Sequence, residues 1–468
     1  MVDSIFKKFF EPKSIMVIGV SNSGVKSGNV ILYNILANGY EGRIFPVHPT
    51  AEEIMGIDCY ASVADVPETP DLTLISVPSA ASLDIVAQCA QRGAKALVMV
   101  NAGFAEVSES GAELQKEILK VSAEAKMRIM GPNTSGVTST PWKFMASIYP
   151  LGYVKKGRLS CIAQTGNFAT ITMKWILTGE NFGVCRVAGL GNRIDVDESE
   201  VLEYLGNDKA TEAILLYLEG IKNGRRFVEV ACRVSRLKPV IAMKSGRTPA
   251  GNRAVTSHTA SLAGDDTIVD SAFRQAGVVR IASYASMVNV AKLLSMQQLP
   301  RGNRVAVLSP SGAMGVAAAD ACELSGLKIA RLSDRTYGKL KKVFPSFLKA
   351  GNPVDLWGAA NFDYYEISLR AVLEDEGVDI VIAILHLVPG IFGGKNELDT
   401  DRLGIIPELS KQFKHKTVVV EIAGDKAYFE AVKEYLEERS VPVFMPVEPG
   451  IEAVAYAYRC RQYMARPD

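Results

Sequence analysis

Residues 14–24 of the chain read SIMVIGVSNSG, an apolar run that ends in a turn of glycine, serine and asparagine. The apolar run predicts a buried strand from Ser14 to Val20, and the following pattern predicts a helix from about Ser27. Such a turn lets bare backbone approach a pyrophosphate, whose charge is favoured at the positive end of the next helix. One interpretation is a nucleotide-like ligand; the alternative is that the glycines serve only to make the turn.

The glycine spacing distinguishes this turn from a dinucleotide fingerprint. Gly19, Gly24 and Gly28 do not form the pattern Gly-x-Gly-x-x-Gly. The second predicted strand ends in Val-His-Pro-Thr at 47–50, without the acidic residue that would bind an NAD ribose. An NAD-dependent dehydrogenase is therefore disfavoured.

Beyond this turn, short β-rich runs alternate with stretches of helical period along the whole chain. This alternation predicts an α/β fold built on parallel sheets, and the length suggests about three domains. The alternation breaks at 141–156, where Pro, Gly, Tyr and Lys accumulate, and again at the joint 299–303. We therefore predict domains over residues 1–145, 146–298 and 299–468.

The composition excludes several classes of protein. With 52 basic and 51 acidic residues, the chain has no overall field that would attract nucleic acid. The longest apolar runs fall short of the roughly 18 residues that span a bilayer, so no membrane partner is expected. The first residues mix charges among phenylalanines, unlike a secretory signal. The seven cysteines lie far apart, which predicts neither disulfides nor a metal site and favours a cytoplasmic location.

Further strand ends of the first domain stop in turn residues. These are Ser-Val-Pro-Ser at 76–79, Asn-Ala-Gly-Phe at 101–104 and Gly-Pro-Asn at 131–133. Ligands of open parallel sheets bind at the carboxyl ends of the strands, so these turns are expected to line the same edge as the first one.

The segment 244–264 contains three cations, many hydroxyl groups and His258, with no sustained apolar period. Loops of this length inside a compact domain are usually functional or disordered. A neutral imidazole is a competent nucleophile, so phosphoryl transfer to His258 is chemically reasonable; the alternative is a solvated surface histidine. Glu219 ends a predicted strand and could orient that imidazole, unless it only caps a helix.

Gln-Thr-Gly-Asn at 164–167 follows another buried strand and precedes a predicted helix. Its backbone amides could hold a phosphate group on or near His258. Ordinary helix capping by Thr165 or Asn167 is the alternative.

Taken together, residues 15–28, Gly-Pro-Asn at 131–133, Leu-Glu-Gly at 218–220 and Ser-His-Thr-Ala-Ser-Leu-Ala-Gly at 257–264 resemble the α subunit of ADP-forming acetyl-CoA synthetases. These enzymes are relatives of succinyl-CoA synthetase, and the resemblance extends over almost the whole chain. It implies a CoA-binding Rossmann-like domain followed by two flavodoxin-like domains. It also implies that acyl-CoA and phosphate give an acyl phosphate and CoA, and that the phosphoryl group passes to His258 and then to ADP.

The resemblance assigns roles to individual residues. It implies His258 as the phosphoryl carrier, Glu219 as its orienting carboxylate, and Asn133 at the edge of the acyl site. The implied phosphate site consists of Gln164, Thr165, Gly166 and Asn167. The implied CoA-binding residues are Gly19, Ser21, Asn22, Ser23, Gly24, His48, Pro49, Val77, Pro78, Asn101 and Gly103.

The resemblance also implies a partner protein. The family's ATP-grasp module has no counterpart here, which implies a separate β subunit in an α2β2 assembly that binds ADP or ATP with Mg. The sequence His-Pro-Thr at 48–50 stands where relatives commonly have Asn-Pro-Lys, so His48 is expected to substitute for a cation. Thr134 and Ser135 stand in a turn that commonly contains Cys. A non-catalytic CoA or acyl-CoA sensor of the same fold is the alternative function.

Overall fold

The computed structural model describes residues 2–22, 26–166, 169, 173–259, 265–344, 350–356, 362–387 and 400–466. The chain divides into two compact units, residues 1–280 and 281–468. Most strands in both units are parallel and alternate with helices, which confirms the predicted α/β class.

The first sheet is parallel, with the strand order β2-β1-β5-β6-β7 within the described residues. Its strands are β1 (Ser14–Ile18), β2 (Arg43–Val47), β5 (Leu72–Ile75), β6 (Ala96–Met99) and β7 (Arg128–Met130). A short antiparallel pair follows β2, formed by β3 (Glu53–Ile54) and β4 (Ile57–Asp58). The helices are α1 (Val2–Phe10), α2 (Ser27–Ala37), α3 (Ser79–Gln91) and α4 (Glu109–Glu124), with a 3-10 turn at Val63–Asp65.

The second sheet has the order β14-β13-β12-β10-β11-β8-β9. Its strands are β8 (Gly136–Ser139), β9 (Phe144–Ser147), β10 (Lys156–Ala163), β11 (Val184–Gly189), β12 (Ala213–Leu218), β13 (Val240–Lys244) and β14 (Val279–Arg280). The helices are α5 (Met173–Gly179), α6 (Glu198–Asn207), α7 (Gly224–Leu237), α8 (Pro249–Thr259) and α9 (Asp266–Ala276), with a 3-10 turn at Thr140–Trp142.

Strand β9 lies inside the stretch 141–156 where the sequence predicts a crossing between domains, and β8 just precedes that stretch. They form an antiparallel hairpin, and β8 pairs antiparallel with β11. Asn34 of α2 secures the chain after the hairpin: its Nδ2 donates to the Ser147 and Tyr149 carbonyls, and its Oδ1 accepts from Leu151 N. The predicted boundary at residue 145 therefore falls inside a strand. Four-residue strands joined by Pro and Trp have too little alternation to be recognised from sequence.

A buried arginine fixes α1 against the second sheet. Arg186 of β11 is 2% exposed, and its guanidinium donates to Asp208, Glu11 and Ser139 at 2.6–2.8 Å. The same group lies over the rings of Phe10 and Tyr204, at 5.6 and 5.7 Å from their centroids. A buried guanidinium is stable only when its charge and donors are satisfied, and here two carboxylates do so.

The second compact unit has the strand order β16-β15-β18-β19-β20, with β17 paired to β15. Its strands are β15 (Arg304–Ser309), β16 (Lys328–Ile329), β17 (Val354–Asp355), β18 (Ile380–Leu387), β19 (Thr417–Gly424) and β20 (Val443–Phe444). Its helices are α10 (Tyr284–Met296), α11 (Gly312–Leu324), α12 (Asp334–Val343), α13 (Phe362–Leu373), α14 (Thr400–Leu403), α15 (Ile405–Gln412), α16 (Lys426–Glu437) and α17 (Glu448–Met464).

Helix α10 belongs to this second unit, although the sequence places the domain boundary after it, at residue 298. Ser286 donates to Glu452 of α17 at 3.0 Å. Lys292 forms a 2.8 Å ion pair with Glu437 of α16 and donates to the Val443 carbonyl. These buried contacts hold α10 against the third predicted domain, and the amphipathic pattern of a helix does not reveal which sheet it covers.

Among the helices that the structure describes, none has both the length and the apolar character that crossing a bilayer requires.

A carboxyl group is buried inside the second unit. Glu421 of β19 is fully buried, and neither of its carboxyl oxygens has a hydrogen-bond partner in the described part of the chain. Burial raises the pKa of this carboxyl well above its usual range, and the neighbouring Glu448 raises it further. The amides of Gly450 and Ile451, in the first turn of α17, oppose the rise only in part.

We expect Glu421→Gln to stabilise the protein at neutral pH by about 1 kcal/mol or more. The folded wild type retains a proton that the unfolded chain releases above the ordinary glutamate pKa, so its free energy of unfolding falls as pH rises. The amide has no proton to lose, and this fall disappears. Urea unfolding between pH 4 and 8 measures the difference, with the exposed Glu434→Gln as control. Parallel pH profiles for wild type and Glu421→Gln would contradict a neutral buried carboxyl.

Candidate active site

The carboxyl ends of two neighbouring strands bring two predicted site residues together. Gln164 follows β10 and Glu219 follows β12, and these strands are adjacent in the second sheet. Gln164 Oε1 accepts from the backbone amides of Glu219 and Gly220 at 2.6 and 3.0 Å. Gln164 Nε2 donates to the Gly220 carbonyl at 2.7 Å. The side chain of Gln164 therefore holds the turn that carries Glu219.

The Gln164 side chain has a supporting role that the sequence analysis did not predict. Both polar atoms of its buried side chain bond to the Glu219–Gly220 turn, so the side chain positions that turn instead of facing a phosphate. Thr165 and Gly166 follow directly and are half-buried. Asn167 lies outside the described residues. A phosphate contact by the backbone amides of this segment stays a prediction.

Two residues that the sequence analysis missed complete the support of the turn. Arg193 Nη1 donates to the Gly220 carbonyl at 3.0 Å and to Glu198 Oε2 at 2.9 Å. Glu198 Oε1 accepts from the backbone amide of Lys222 at 2.9 Å. Glu198 opens α6 within the acidic run 195–200, which reads in sequence as ordinary acids at a helix start. Only the folded chain shows that this one is fully buried.

A buried lysine begins the segment that contains His258. Lys244 ends β13, is 2% exposed, and donates to the Ser245 carbonyl. Burial lowers the pKa of its ammonium group; Asp266 opposes the shift, Arg280 adds to it, and Glu219 opposes it. The predicted orienting carboxylate, Glu219, is itself 5% exposed and near enough to Lys244 to influence its charge.

The segment predicted as one long loop contains helix α8. Thr248 precedes it and accepts from the Gly251 amide at 3.1 Å, and Pro249 occupies the first helical position. These signals were present in the sequence, but the missing apolar period concealed them. His258 lies in the last turn of α8, its side chain is outside the described part, and residues 260–264 are not described.

The first turn of the chain packs tightly against its neighbours. Gly19 has φ of +95°, and a Cβ there would lie 2.1 Å from the Ser76 carbonyl oxygen. A Cβ on Gly28 would lie 2.4 Å from the Gly19 oxygen. Asn29, which sequence reasoning missed, accepts from Ser21 N and donates to Ser21 O, both at 2.8 Å. Asn22 is exposed, while Ser23 and Gly24 lie outside the described residues.

The strands beside β1 bring two more predicted positions to the same edge, because β2 and β5 both pair with β1. His48 follows β2, and its Nδ1 accepts from the amides of Thr50 and Ala51 at 3.2 and 3.0 Å. The other ring nitrogen, Nε2, is consequently the proton-bearing one in the neutral ring. Pro49 is exposed; after β5, Val77 is half-buried and Pro78 is exposed at the start of α3.

The loop after β6 is braced by a carboxylate that the sequence analysis did not select. Glu106 Oε1 accepts from the amides of Gly103 and Phe104 at 2.7 and 3.1 Å. The Gly103 amide is therefore already engaged. Asn101 donates to Ser82 Oγ at 2.8 Å, which leaves its Oδ1 buried without a partner in the described residues.

Glu106 also connects the edges of the two sheets. Its Oε2 accepts from Asn192 Nδ2 at 2.5 Å, and Asn133 Nδ2 approaches Asn192 Oδ1 at 3.4 Å. Burial raises the pKa of Glu106, but the hydrogen bonds from Asn192 and from the Gly103 and Phe104 amides outweigh it and leave a net lowering. The predicted CoA edge and the predicted acyl edge at Asn133 are thus joined by an ionised carboxylate.

Four buried cysteines of the chain are unsuited to act as nucleophiles at neutral pH. All seven cysteines are unpaired, and burial raises the pKa of the Cys89, Cys161, Cys322 and Cys460 thiols to about 12. A thiol with such a pKa is a poor nucleophile at neutral pH. In the described ranges, no group of three or more His, Cys, Asp or Glu residues is arranged to hold a metal ion.

Three family models match the chain in succession. They are described as a CoA binding domain at residues 13–140, a succinyl-CoA ligase like flavodoxin domain at 156–294 and a Ligase-CoA domain at 305–462. These matches confirm the expected order of a CoA-binding domain followed by succinyl-CoA-ligase-like domains.

Curated relatives carry related names. Acetate–CoA ligase [ADP-forming] II of Archaeoglobus fulgidus is 41% identical over 382 residues, which are 81% of this chain and 56% of that protein. Acetate–CoA ligase [ADP-forming] II subunit alpha of Pyrococcus furiosus is 37% identical over 451 residues, 96% of each chain. This chain therefore spans about half of the first relative and nearly all of the second.

A solved structure agrees over the full length. It is the dinucleotide forming acetyl-coenzyme A synthetase 1 of Ca. Korarchaeum cryptofilum in complex with phosphate and ADP. The TM-score is 0.91 at 31% identity, over 99% of this chain and 98% of that one.

We expect Gln164→Ala to destabilise the protein by about 3 kcal/mol, because two buried backbone amides lose their acceptor and the Gly220 carbonyl loses one of its two donors. Thermal or urea unfolding measures this change, and Gln412→Ala on the surface of α15 is the matched control. A Gln164→Ala variant as stable as the control would show that the hydrogen bonds of Gln164 to the Glu219–Gly220 turn contribute nothing to the free energy of unfolding.

Proposed function

This chain belongs to the ADP-forming acid–CoA ligases, and from that premise we propose that it is the α subunit of such an enzyme. The reaction converts acyl-CoA, phosphate and ADP reversibly into a carboxylic acid, CoA and ATP. The names of the relatives that match over nearly the whole chain support this proposal.

The proposed reaction has three balanced steps. A phosphate oxygen attacks the thioester carbonyl, the C–S bond breaks, and acyl phosphate and CoA thiolate form. A ring nitrogen of His258 then attacks phosphorus, the P–O bond to the acyl group breaks, and the carboxylate leaves. Finally an oxygen of the ADP β-phosphate attacks, the P–N bond breaks, and ATP forms with the imidazole restored.

The support for Glu219 is the observation that carries this proposal. Burying a carboxylate until it is 5% exposed costs free energy. The side chains of Gln164, Arg193 and Glu198 fix the turn that bears it. Such a rigid carboxylate suits the orientation of an imidazole whose positive charge grows as it takes up a phosphoryl group. In the proposal, Glu219 accepts the N–H of His258, and Thr165 with Gly166 contacts the phosphate.

The CoA site is proposed at the edge formed by the ends of β1, β2, β5 and β6. The close packing of Gly19 places bare backbone at this edge, and His48 can donate from Nε2 to a phosphate or ring acceptor. Asn101 Oδ1, a buried acceptor, is suited to a donor group of CoA such as an amide N–H. Asn133 lies at the acyl end.

A separate partner completes the proposed enzyme. Because a relative that matches over 96% of both chains is named subunit alpha, we propose that an ATP-grasp β subunit carries the nucleotide-binding part of the enzyme. That subunit would hold ADP or ATP with Mg, in an α2β2 assembly.

The unpaired buried cysteines are consistent with a reducing, cytoplasmic location.

We expect His258→Asn to abolish phosphorylation of the chain and to reduce acid-dependent ATP turnover by about 10³-fold or more, because the covalent carrier is removed. The assay combines the α chain, the β subunit, radiolabelled ATP, CoA and acetate or another short acid. Glu219→Gln should slow labelling by roughly 100-fold while leaving the carrier in place.

The control is His415→Asn, which removes an exposed histidine in edge contact with Phe413. It should be labelled like the wild type. A wild-type chain that binds CoA but never becomes phosphorylated would reject the enzyme and favour the sensor of the same fold.

A further inference from the structure

A buried hydroxyl without a partner lies beside the proposed active site. Ser135 is 4% exposed, and its Oγ has no hydrogen-bond partner in the described part of the chain. Buried polar groups are normally paired, so an unpaired hydroxyl requires an explanation. The adjacent Thr134 illustrates the norm: its Oγ1 donates to the Gly189 carbonyl at 2.5 Å and accepts from Gly136 N at 3.1 Å.

The hydroxyl lies at the edge where the site strands end. Strand β8 is antiparallel to β11, so the residue that precedes β8 lies at the carboxyl ends of β10, β11 and β12. A Cβ on Gly189 would lie 2.4 Å from Ser135 Oγ, and a Cβ on Gly166 would lie 3.8 Å from Ser135 Cβ. Ser135 is therefore positioned between the end of β11 and the turn at 164–166.

The described neighbours of this buried hydroxyl offer it no hydrogen-bond partner. Gly189 has no side chain to cover it, and any other residue there would occupy its space. The polar side chain on the same turn, Gln164, is fully engaged with Gly220 and Glu219. A serine hydroxyl donates one hydrogen bond and rotates freely, so it can meet an anionic oxygen without adding charge beside a carboxylate.

We propose that Ser135 Oγ donates a hydrogen bond to an anionic oxygen of the reacting group, either inorganic phosphate or the carboxylate of the acid. Both groups are joined in the acyl phosphate, and the inference rests on the proposed function only in taking these as the ligands. Ser135 is then a substrate-contacting residue, and the cost of its unpaired hydroxyl in the ligand-free chain is offset when the anion binds.

Ser135→Ala tests this proposal because its two effects have opposite signs. Removing an unpaired buried hydroxyl leaves the melting temperature unchanged or higher, since no protein hydrogen bond is lost. Removing a donor to an anion weakens ligand binding by roughly 10-fold or more. A residue with a purely structural role would not weaken binding while the fold stayed intact.

The matched control is Ser235→Ala. Ser235 is 2% exposed, and its Oγ also has no partner among the described residues, but it lies near the end of α7. Ser235→Ala therefore removes the same hydroxyl oxygen at similar burial, but away from the sheet edge where the site strands end. Its melting temperature should respond like that of Ser135→Ala, with unchanged ligand binding.

Binding is measured on the full chain by ligand-observed NMR, with inorganic phosphate and acetate titrated separately. A loss confined to phosphate assigns the hydrogen bond to the phosphoryl group, and a loss confined to acetate assigns it to the carboxylate; either supports the proposal. Unchanged binding of both ions, or no binding by the wild type, overturns it. Phosphorylation of His258 is measured independently, so a labelled chain with unaltered binding rejects Ser135 and retains the proposed function.

Discussion

The hydrogen bonds between the Gln164 side chain and the Glu219–Gly220 turn are the constraint on which the site depends. One side-chain amide satisfies two backbone amides and one carbonyl at the ends of neighbouring strands. Arg193 and Glu198 then close the same turn from the start of α6. These bonds satisfy and fix the backbone of the turn, so the Glu219 side chain is held in one place at a strand end although it is only 5% exposed.

A second carboxylate couples the two sheets of the first unit. Glu106 accepts hydrogen bonds from Gly103 and Phe104 in the loop after β6 and from Asn192, which follows β11 of the second sheet. The edge proposed for CoA and the edge proposed for phosphate therefore cannot shift independently without breaking charge-assisted hydrogen bonds. A reaction that transfers an acyl group from CoA to phosphate requires such a fixed separation between its two binding sites.

The strands were largely predictable. Parallel strands buried on both faces form continuous apolar runs, and the strand predicted from Ser14 to Val20 is found as β1 at Ser14–Ile18. The hairpin β8–β9 was not predicted, because its short strands show no sustained alternation. Helix α8 was missed for a related reason: its start is marked by Thr248 and Pro249, but it has little apolar periodicity.

The sequence by itself determined the fold class, the family and the positions at which strands end in turn residues, since these follow from local pattern and from short motifs. Only the tertiary structure decided that Gln164 supports Glu219, that Glu106 joins two edges, and that the Ser135 hydroxyl is left unpaired. The physical reason is that these contacts join residues far apart in sequence, and whether a polar atom is satisfied depends on which distant atom reaches it when the chain is folded.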